Sequence, residues 1–435
     1  MSEVRFSRST AISVVVANMI GTGVFTSLGF QLLDIQSGFV LMMLWAVGGV
    51  TAICGALCYA ELGAALPRSG GEYNFLSQIY HPGMGFVAGW VSATIGFAAP
   101  TALAAITFGA YLNSVLPSVA IVPSACALVL ALTAMHAYSR GSSGRVQRIF
   151  TTLKIVLIVG FCTAAFVLVD APQPIVFVPS DGDGTLLFSG AFAVALIYVN
   201  YAYTGWNAAT YLTGELDNPQ RNLPVTLFVG TVLVALLYLW LNYTFLMAAP
   251  LADMQGKVEI GYIAAQHIFP QQGARVMGIV LALLLVSTVS AMILAGPRVL
   301  QMIGQDFAAF GILSKINRHG VPYVAICVQS LMSIVFIATA SFDSILVFAG
   351  FTLGLSTLFT VVGVFWLRVR RPDLPRPFRV IGYPLPPLVF TLVMSWTLVY
   401  ILIDRPMEGL AGVAICAVGA VFYTITASLR PSEKA

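Results

Sequence analysis

The residues of this chain best placed to do chemistry are two interruptions and one charge. Asn18-Met19-Ile20-Gly21-Thr22-Gly23-Val24-Phe25 sets two glycines one residue apart inside an apolar run, and Tyr201-Ala202-Tyr203-Thr204-Gly205-Trp206-Asn207 sets a glycine among polar groups inside another. Lys154 stands alone in a third run. None of these gathers a nucleophile with a base: His81, His136, His267 and His319 are scattered, and no HExxH pair exists. The chemistry on offer is therefore non-covalent recognition. Backbone in hydrocarbon must satisfy its own N–H and C=O groups, so a break in mid-membrane survives only where protein or a water-filled cavity surrounds it. One half-helix then presents free N–H groups and the other free carbonyls, each end carrying roughly half a unit charge. A gap so furnished suits a zwitterion. The competing reading is a close helix crossing, because small residues are common where membrane helices touch.

Lys154 lies about 13 Å along its helix from Arg145, and a lysine at helix centre costs about 2.5–3.5 kcal/mol on insertion scales. Snorkelling to the headgroups would soften that cost. The functional alternative places the ammonium between helices, on carbonyls exposed at the first break and on the hydroxyls of Ser287, Thr288 and Ser290. The Asp181-Gly182-Asp183-Gly184 stretch lacks the spaced ligands and terminal Glu of a calcium loop, and no metal or cofactor spacing emerges elsewhere.

What must position these residues follows from composition. At 435 residues, 59% hydrophobic and 9% charged, the chain has too little polar surface for a soluble protein and reads as an all-α polytopic membrane protein. Apolar runs of roughly 20 residues give twelve candidate spans, at 9–33, 38–63, 83–112, 119–138, 149–169, 186–213, 223–249, 275–297, 321–340, 344–368, 385–403 and 409–428. With the N-terminus inside, the only Lys and Arg outside cytoplasmic segments are Lys257, Arg275 and Arg405 on the outer face and Lys154 within a span. Both termini are thus expected in the cytoplasm. The net charge of +4 reflects basic loops facing anionic lipid and calls for no nucleic acid. All six cysteines fall in predicted spans, and no removable signal peptide is evident.

Spans 1 and 6 each begin a group of five, and both are interrupted. The second group then starts from the opposite side, which predicts one transporter domain over 1–435 built of inverted five-helix repeats at 9–169 and 186–368, with accessory helices over 385–428. Spans 1, 3, 6, 8 and 10 carry no Asp, Glu, Lys or Arg in their interiors, so a charged ligand tail would lack a counter-ion. After span 2, Glu61 is expected to pair with an arginine, and residues 74–80 read as a short amphipathic helix on the cytoplasmic surface. Residues 298–320 read as a solvated basic connection.

Together these motifs resemble the amino acid-polyamine-organocation superfamily, most closely its L-type amino-acid transporter branch. The likeness rests on Gly21-Thr22-Gly23-Val24-Phe25, Tyr59-Ala60-Glu61-Leu62, Pro67-Arg68-Ser69-Gly70-Gly71-Glu72-Tyr73, Lys154, and Gly205-Trp206-Asn207 through Glu215, Asn218-Pro219 and Arg221-Asn222-Leu223-Pro224. It implies the five-plus-five inverted-repeat (LeuT-like) fold and alternating access of amino acids, usually by exchange. By position, the N–H groups of Thr22, Gly23 and Val24 would hold a substrate carboxylate, and the carbonyls of Ile20, Tyr201, Ala202 and Thr204 its amino group. Gly21, Tyr203 and Gly205 complete the expected substrate site. Tyr201 stands where relatives place an aromatic gate, and Asn207 where a polar side chain holds the second break. Lys154 matches the lysine whose ammonium takes the place of sodium in sodium-coupled relatives of the fold. Thr204 agrees with neutral substrates, since members taking cationic amino acids can carry an acidic residue there; it also replaces a glycine common in the branch. Animal members join a glycoprotein through a cysteine between spans 3 and 4; none lies there, so a stand-alone bacterial-type carrier in the inner membrane is expected. A proton-coupled symporter is the alternative, and a membrane-embedded enzyme or a sensor the reading from another class.

Overall fold

The computed structural model describes residues 7–138 and 143–428, which contain no β-strand. Arg5, Arg140, Arg430 and Lys434, part of the charge pattern above, lie outside the described residues. The first apolar rod comes in two pieces, α1 (Arg8–Met19) and α2 (Gly23–Gln31), and is followed by α3 (Gly38–Ala65) and the short α4 (Glu72–Ile79). The third rod joins α5 (Pro82–Val91) to α6 (Ala98–Val115) through a π-turn at Ser92–Gly96, and α7 (Ile121–Tyr138) and α8 (Ser143–Leu168) come next. A small α9 (Asp183–Leu187) precedes α10 (Gly190–Tyr203), which gives way to a 3₁₀ stretch at Trp206–Glu215 and then α11 (Pro219–Ala248). Two short helices, α12 (Leu251–Met254) and α13 (Ile260–Ile268), lead to α14 (Gln271–Ala295) and α15 (Pro297–Asp306). The chain finishes with α16 (Tyr323–Thr339), α17 (Phe342–Arg370), α18 (Leu385–Asp404) and α19 (Pro406–Ser428).

Ten helical stretches among the described residues are long and apolar enough to cross a membrane. Two shorter apolar helices, α10 and α16, fall on the predicted spans at 186–213 and 321–340. The chain is an all-α polytopic membrane protein.

Along the third rod α5 loosens into the π-turn before α6, in a run that carries Gly96 and Pro100. Two local expectations are corrected. Residues 298–320 are not merely a solvated connection, because α15 and a 3₁₀ turn at Ala308–Ser314 fold back on the bundle. Leu300, Ile303 and Phe307 recur at helical spacing there and are buried with Phe86 and Ala325. Nor does α4 lie on the surface: Glu72, Asn74, Phe75, Leu76 and Ile79 are all buried.

Glu61 has the arginine partner that the sequence calls for. Its carboxylate accepts two bonds from Arg368, at 2.9 and 2.5 Å, and one from the backbone N–H of Val380 at 2.7 Å. Arg376 Nε lies 3.5 Å away. The carboxylate is nearly solvent-free, and it binds the end of α3 to the end of α17. Breaking a buried ion pair leaves uncompensated charge at a cost of about 3–5 kcal/mol. Glu61→Ala should accordingly lower the detergent melting midpoint clearly, whereas Arg371→Ala on exposed surface should not.

Candidate functional site

The first break begins where Ile20 leaves helical geometry (φ −74°, ψ 78°) and Gly21 N–H turns back onto the Met19 carbonyl at 2.7 Å. Helix resumes at Gly23, so the N–H groups of Thr22, Gly23 and Val24 stand at the start of α2 with no preceding turn to accept them. In the second break, Thr204 is extended (ψ 151°) and Gly205 adopts φ +102°. The two interruptions are packed on each other. A Cβ on Gly23 would sit 2.5 Å from the Ala202 Cα, and one on Gly205 would sit 2.7 Å from the Asn18 carbonyl. The small residues thus serve a close approach, and that approach brings both breaks to one place. At Gly23 the two readings are compatible rather than exclusive, whereas a Cβ on Gly21 would meet nothing nearer than 3.9 Å.

Side chains from remote helices fasten the broken ends. The Tyr238 hydroxyl of α11 points at the Met19 carbonyl (2.5 Å) and the Ala202 carbonyl (3.2 Å), one on each break. Lys154 of α8 is buried, and its Nζ donates to the Ile20 carbonyl at 2.9 Å and to Thr288 Oγ1 of α14 at 3.0 Å. The ammonium is therefore held at the first break and does not reach for the headgroups. Of the three hydroxyls expected near it, only Thr288 arrives. Ser287 donates to the Leu284 carbonyl of its own helix, and Ser290 pairs with His136 Nε2 at 2.8 Å. Successive residues of a helix point about 100° apart, which is why three neighbours cannot converge.

A cavity of about 240 Å³ lies against the breaks. Gly21, Thr22, Gly23, Tyr201, Ala202, Thr204, Gly205 and Asn207 all border it, as does Thr288. Val14 and Asn18 of α1, Phe97 and Pro100 of the third rod, and Met292 and Ala295 of α14 extend it toward the side of the molecule where α1 begins. The opposite side is closed by packing: Tyr111 of α6 donates to the Phe25 carbonyl (3.2 Å) and accepts from Gly261 N–H of α13 (3.0 Å).

Several expected contacts are placed elsewhere. Tyr203 turns its hydroxyl to the Trp45 carbonyl at 3.1 Å and packs between Trp45 and Tyr238, away from the cavity. Ile20 and Val24 do not border it, and their side chains are fully buried. The Tyr201 carbonyl already takes two bonds from Thr204, through its N–H (3.0 Å) and its hydroxyl (2.6 Å), which uses both lone pairs. Of the expected carbonyls, those of Ala202 and Thr204 belong to residues that border the cavity, and the Ala202 carbonyl keeps a second lone pair beside the Tyr238 hydroxyl.

A full-length match decides the family. The amino acid permease model fits residues 6–431. The chain belongs to the amino acid permease family. Permeases of this family are carriers and not enzymes, and the L-type likeness of the motifs agrees with the relatives found. The mouse (Mus musculus) b(0,+)-type amino acid transporter 1 is 27% identical over 423 residues, covering 95% of this permease and 86% of the relative. The human (Homo sapiens) counterpart is 26% identical over 424 residues, with the same shares covered. The mouse large neutral amino acids transporter small subunit 2 is 27% identical over 430 residues, covering 95% of this chain and 79% of its own.

Sequence reasoning missed one group of consequence in the permease cavity. Glu72 of α4 borders it alongside Tyr211 and Thr357, so the wall is not free of carboxylates. Counting charges within the crossing helices could not find Glu72, because it arrives from a connection; the Gly70-Gly71 pair that lets the chain turn inward was the available signal.

Proposed function

We propose that this permease is a sodium-independent carrier of neutral L-amino acids that works by alternating access and exchange. The observation that carries the reading is the facing pair of helix breaks with the cavity against them. Free N–H groups at Thr22 and Gly23 suit a carboxylate, and the carbonyls of Ala202 and Thr204 suit an amino group, so a zwitterion gains at both poles. The fixed ammonium of Lys154 on the Ile20 carbonyl supports independence from sodium, since a cation is already built into that corner. The names of the mouse relatives support amino acids as the substrate class. Inverted five-helix repeats at 9–169 and 186–368 would let one group of helices rock against the other around the breaks. The carrier is read as sitting in the cell membrane with both termini in the cytoplasm. The absence of a cysteine from the connection between α6 and α7 supports function without a disulfide-linked partner.

Counterflow into proteoliposomes against all twenty amino acids and several amines tests the reading. Neutral L-amino acids loaded inside should accelerate uptake of their own labelled forms by about tenfold or more over empty vesicles, while acidic amino acids should not. Uphill accumulation driven by a pH gradient, with no amino acid inside, would remove exchange as the obligatory mode. One observation favours that second reading, proton-coupled symport: the carboxyl of Glu72 in the cavity wall.

A further inference from the structure

Glu72 opens α4 and is 3% exposed, yet it borders the central cavity. Its Oε1 accepts from the Tyr59 hydroxyl of α3 (2.5 Å), the Thr357 hydroxyl of α17 (3.1 Å) and the Asn207 amide just past the second break (3.4 Å). The donors come from three separate segments, and all three are neutral. Among the described residues no Lys, Arg or His forms an ion pair with Glu72.

The titratable groups beside it are Tyr59 and Tyr211. Other charges on the packed elements are turned elsewhere. Glu61 of α3 and Arg368 of α17 are joined to each other, and Arg370 lies over Trp366. His81, at the start of α5, accepts from Gly83 N–H and faces Tyr423, and Arg68 is exposed. An ionised carboxylate enclosed in this way keeps a desolvation cost that neutral donors offset only in part, and a bound proton removes it. Burial pushes the carboxyl above its ordinary range, with the bonds from Tyr59, Thr357 and Asn207 acting against it.

We propose that Glu72 is a proton-binding site of the central cavity, protonated while its Oε1 draws α3, the Trp206–Glu215 stretch and α17 together, and ionised when water enters and those segments part. The proposal rests on the reading of the cavity as an amino-acid site. A protonated Glu72 leaves the cavity without net charge, which suits a neutral ligand, and it makes closure depend on pH. The sign follows: the closed form is favoured at lower pH and lost as pH rises through the carboxyl's raised value.

The test measures homo-exchange of labelled alanine, serine, leucine and phenylalanine in proteoliposomes held at equal pH on both sides. Wild-type exchange should fall about tenfold as pH is raised through the range in which the carboxyl loses its proton, and that fall should shrink to less than about twofold in Glu72→Gln, which imitates the protonated form. Infrared spectra of the purified proteins supply an independent readout, a protonated-carboxyl C=O band in wild type that Glu72→Gln removes. Should Glu72→Gln not fold, Tyr59→Phe should shift the wild-type fall to higher pH, because losing a donor to the ionised form strengthens proton binding. Identical profiles and an unchanged band in wild type and Glu72→Gln would overturn the proposal while leaving exchange in place. Loss of the band with no exchange of any amino acid by wild type would uphold Glu72 and overturn the amino-acid reading.

Discussion

Lys154→Ala is expected to cut exchange severely while the protein still elutes as one folded species. The ammonium supplies the donor to the Ile20 carbonyl and to the Thr288 hydroxyl, and so ties α8 and α14 to the loose end of α1. Truncation leaves that carbonyl without its charged partner, at a cost of about 1–3 kcal/mol for a buried group. The loss falls on the geometry of the break, not on a folding core, so function suffers more than stability. A cost of that size on the competent arrangement corresponds to a loss of about tenfold to a hundredfold in exchange rate. Ser287→Ala, one residue from Thr288 but bonded only within its own helix, is the comparator and should lose far less. Initial rates of counterflow in proteoliposomes check both, and unaltered kinetics in Lys154→Ala would reduce the lysine to packing.

Gly205→Ala should be more damaging still, because it fails in two ways at once. The backbone at φ +102° lies where a side chain is strained by about 1–3 kcal/mol. The new methyl would also stand 2.7 Å from the Asn18 carbonyl, and backbone must shift to relieve that. Overpacking of this kind adds about 1–3 kcal/mol. Gly23→Ala meets the Ala202 Cα without the torsional penalty, so it separates the steric part from the conformational one. Both variants should lose exchange, and Gly205→Ala should have the lower melting midpoint. Gly21→Ala, whose Cβ would meet nothing nearer than 3.9 Å, should retain most of its stability.

The sequence carried the membrane class, the two breaks and the oddity of Lys154, because each is a local departure from an apolar pattern and has one main physical remedy. A lysine deep in an apolar helix must find an acceptor, and broken helix ends in lipid must face something polar. What was not legible depends on which remote helix packs where. Tyr238 reads as an ordinary membrane tyrosine until α11 places its hydroxyl between the two breaks. Tyr203 looks equivalent to Tyr201, but the turn of α10 sends it to Trp45 instead. Thr288 and its neighbours differ only in azimuth, which periodicity cannot assign without knowing the partner helix. Glu72 was hidden by the habit of assigning charged connections to solvent.

The single phenol of Tyr111 has a consequence for the far side of the permease, should the breaks serve alternating access. Its hydroxyl donates to the Phe25 carbonyl of α2 and accepts from the Gly261 N–H of α13. Parting the two segments gives up bonds worth about 0.5–1.5 kcal/mol each. Tyr111 thus acts as a light latch that favours their swinging out together.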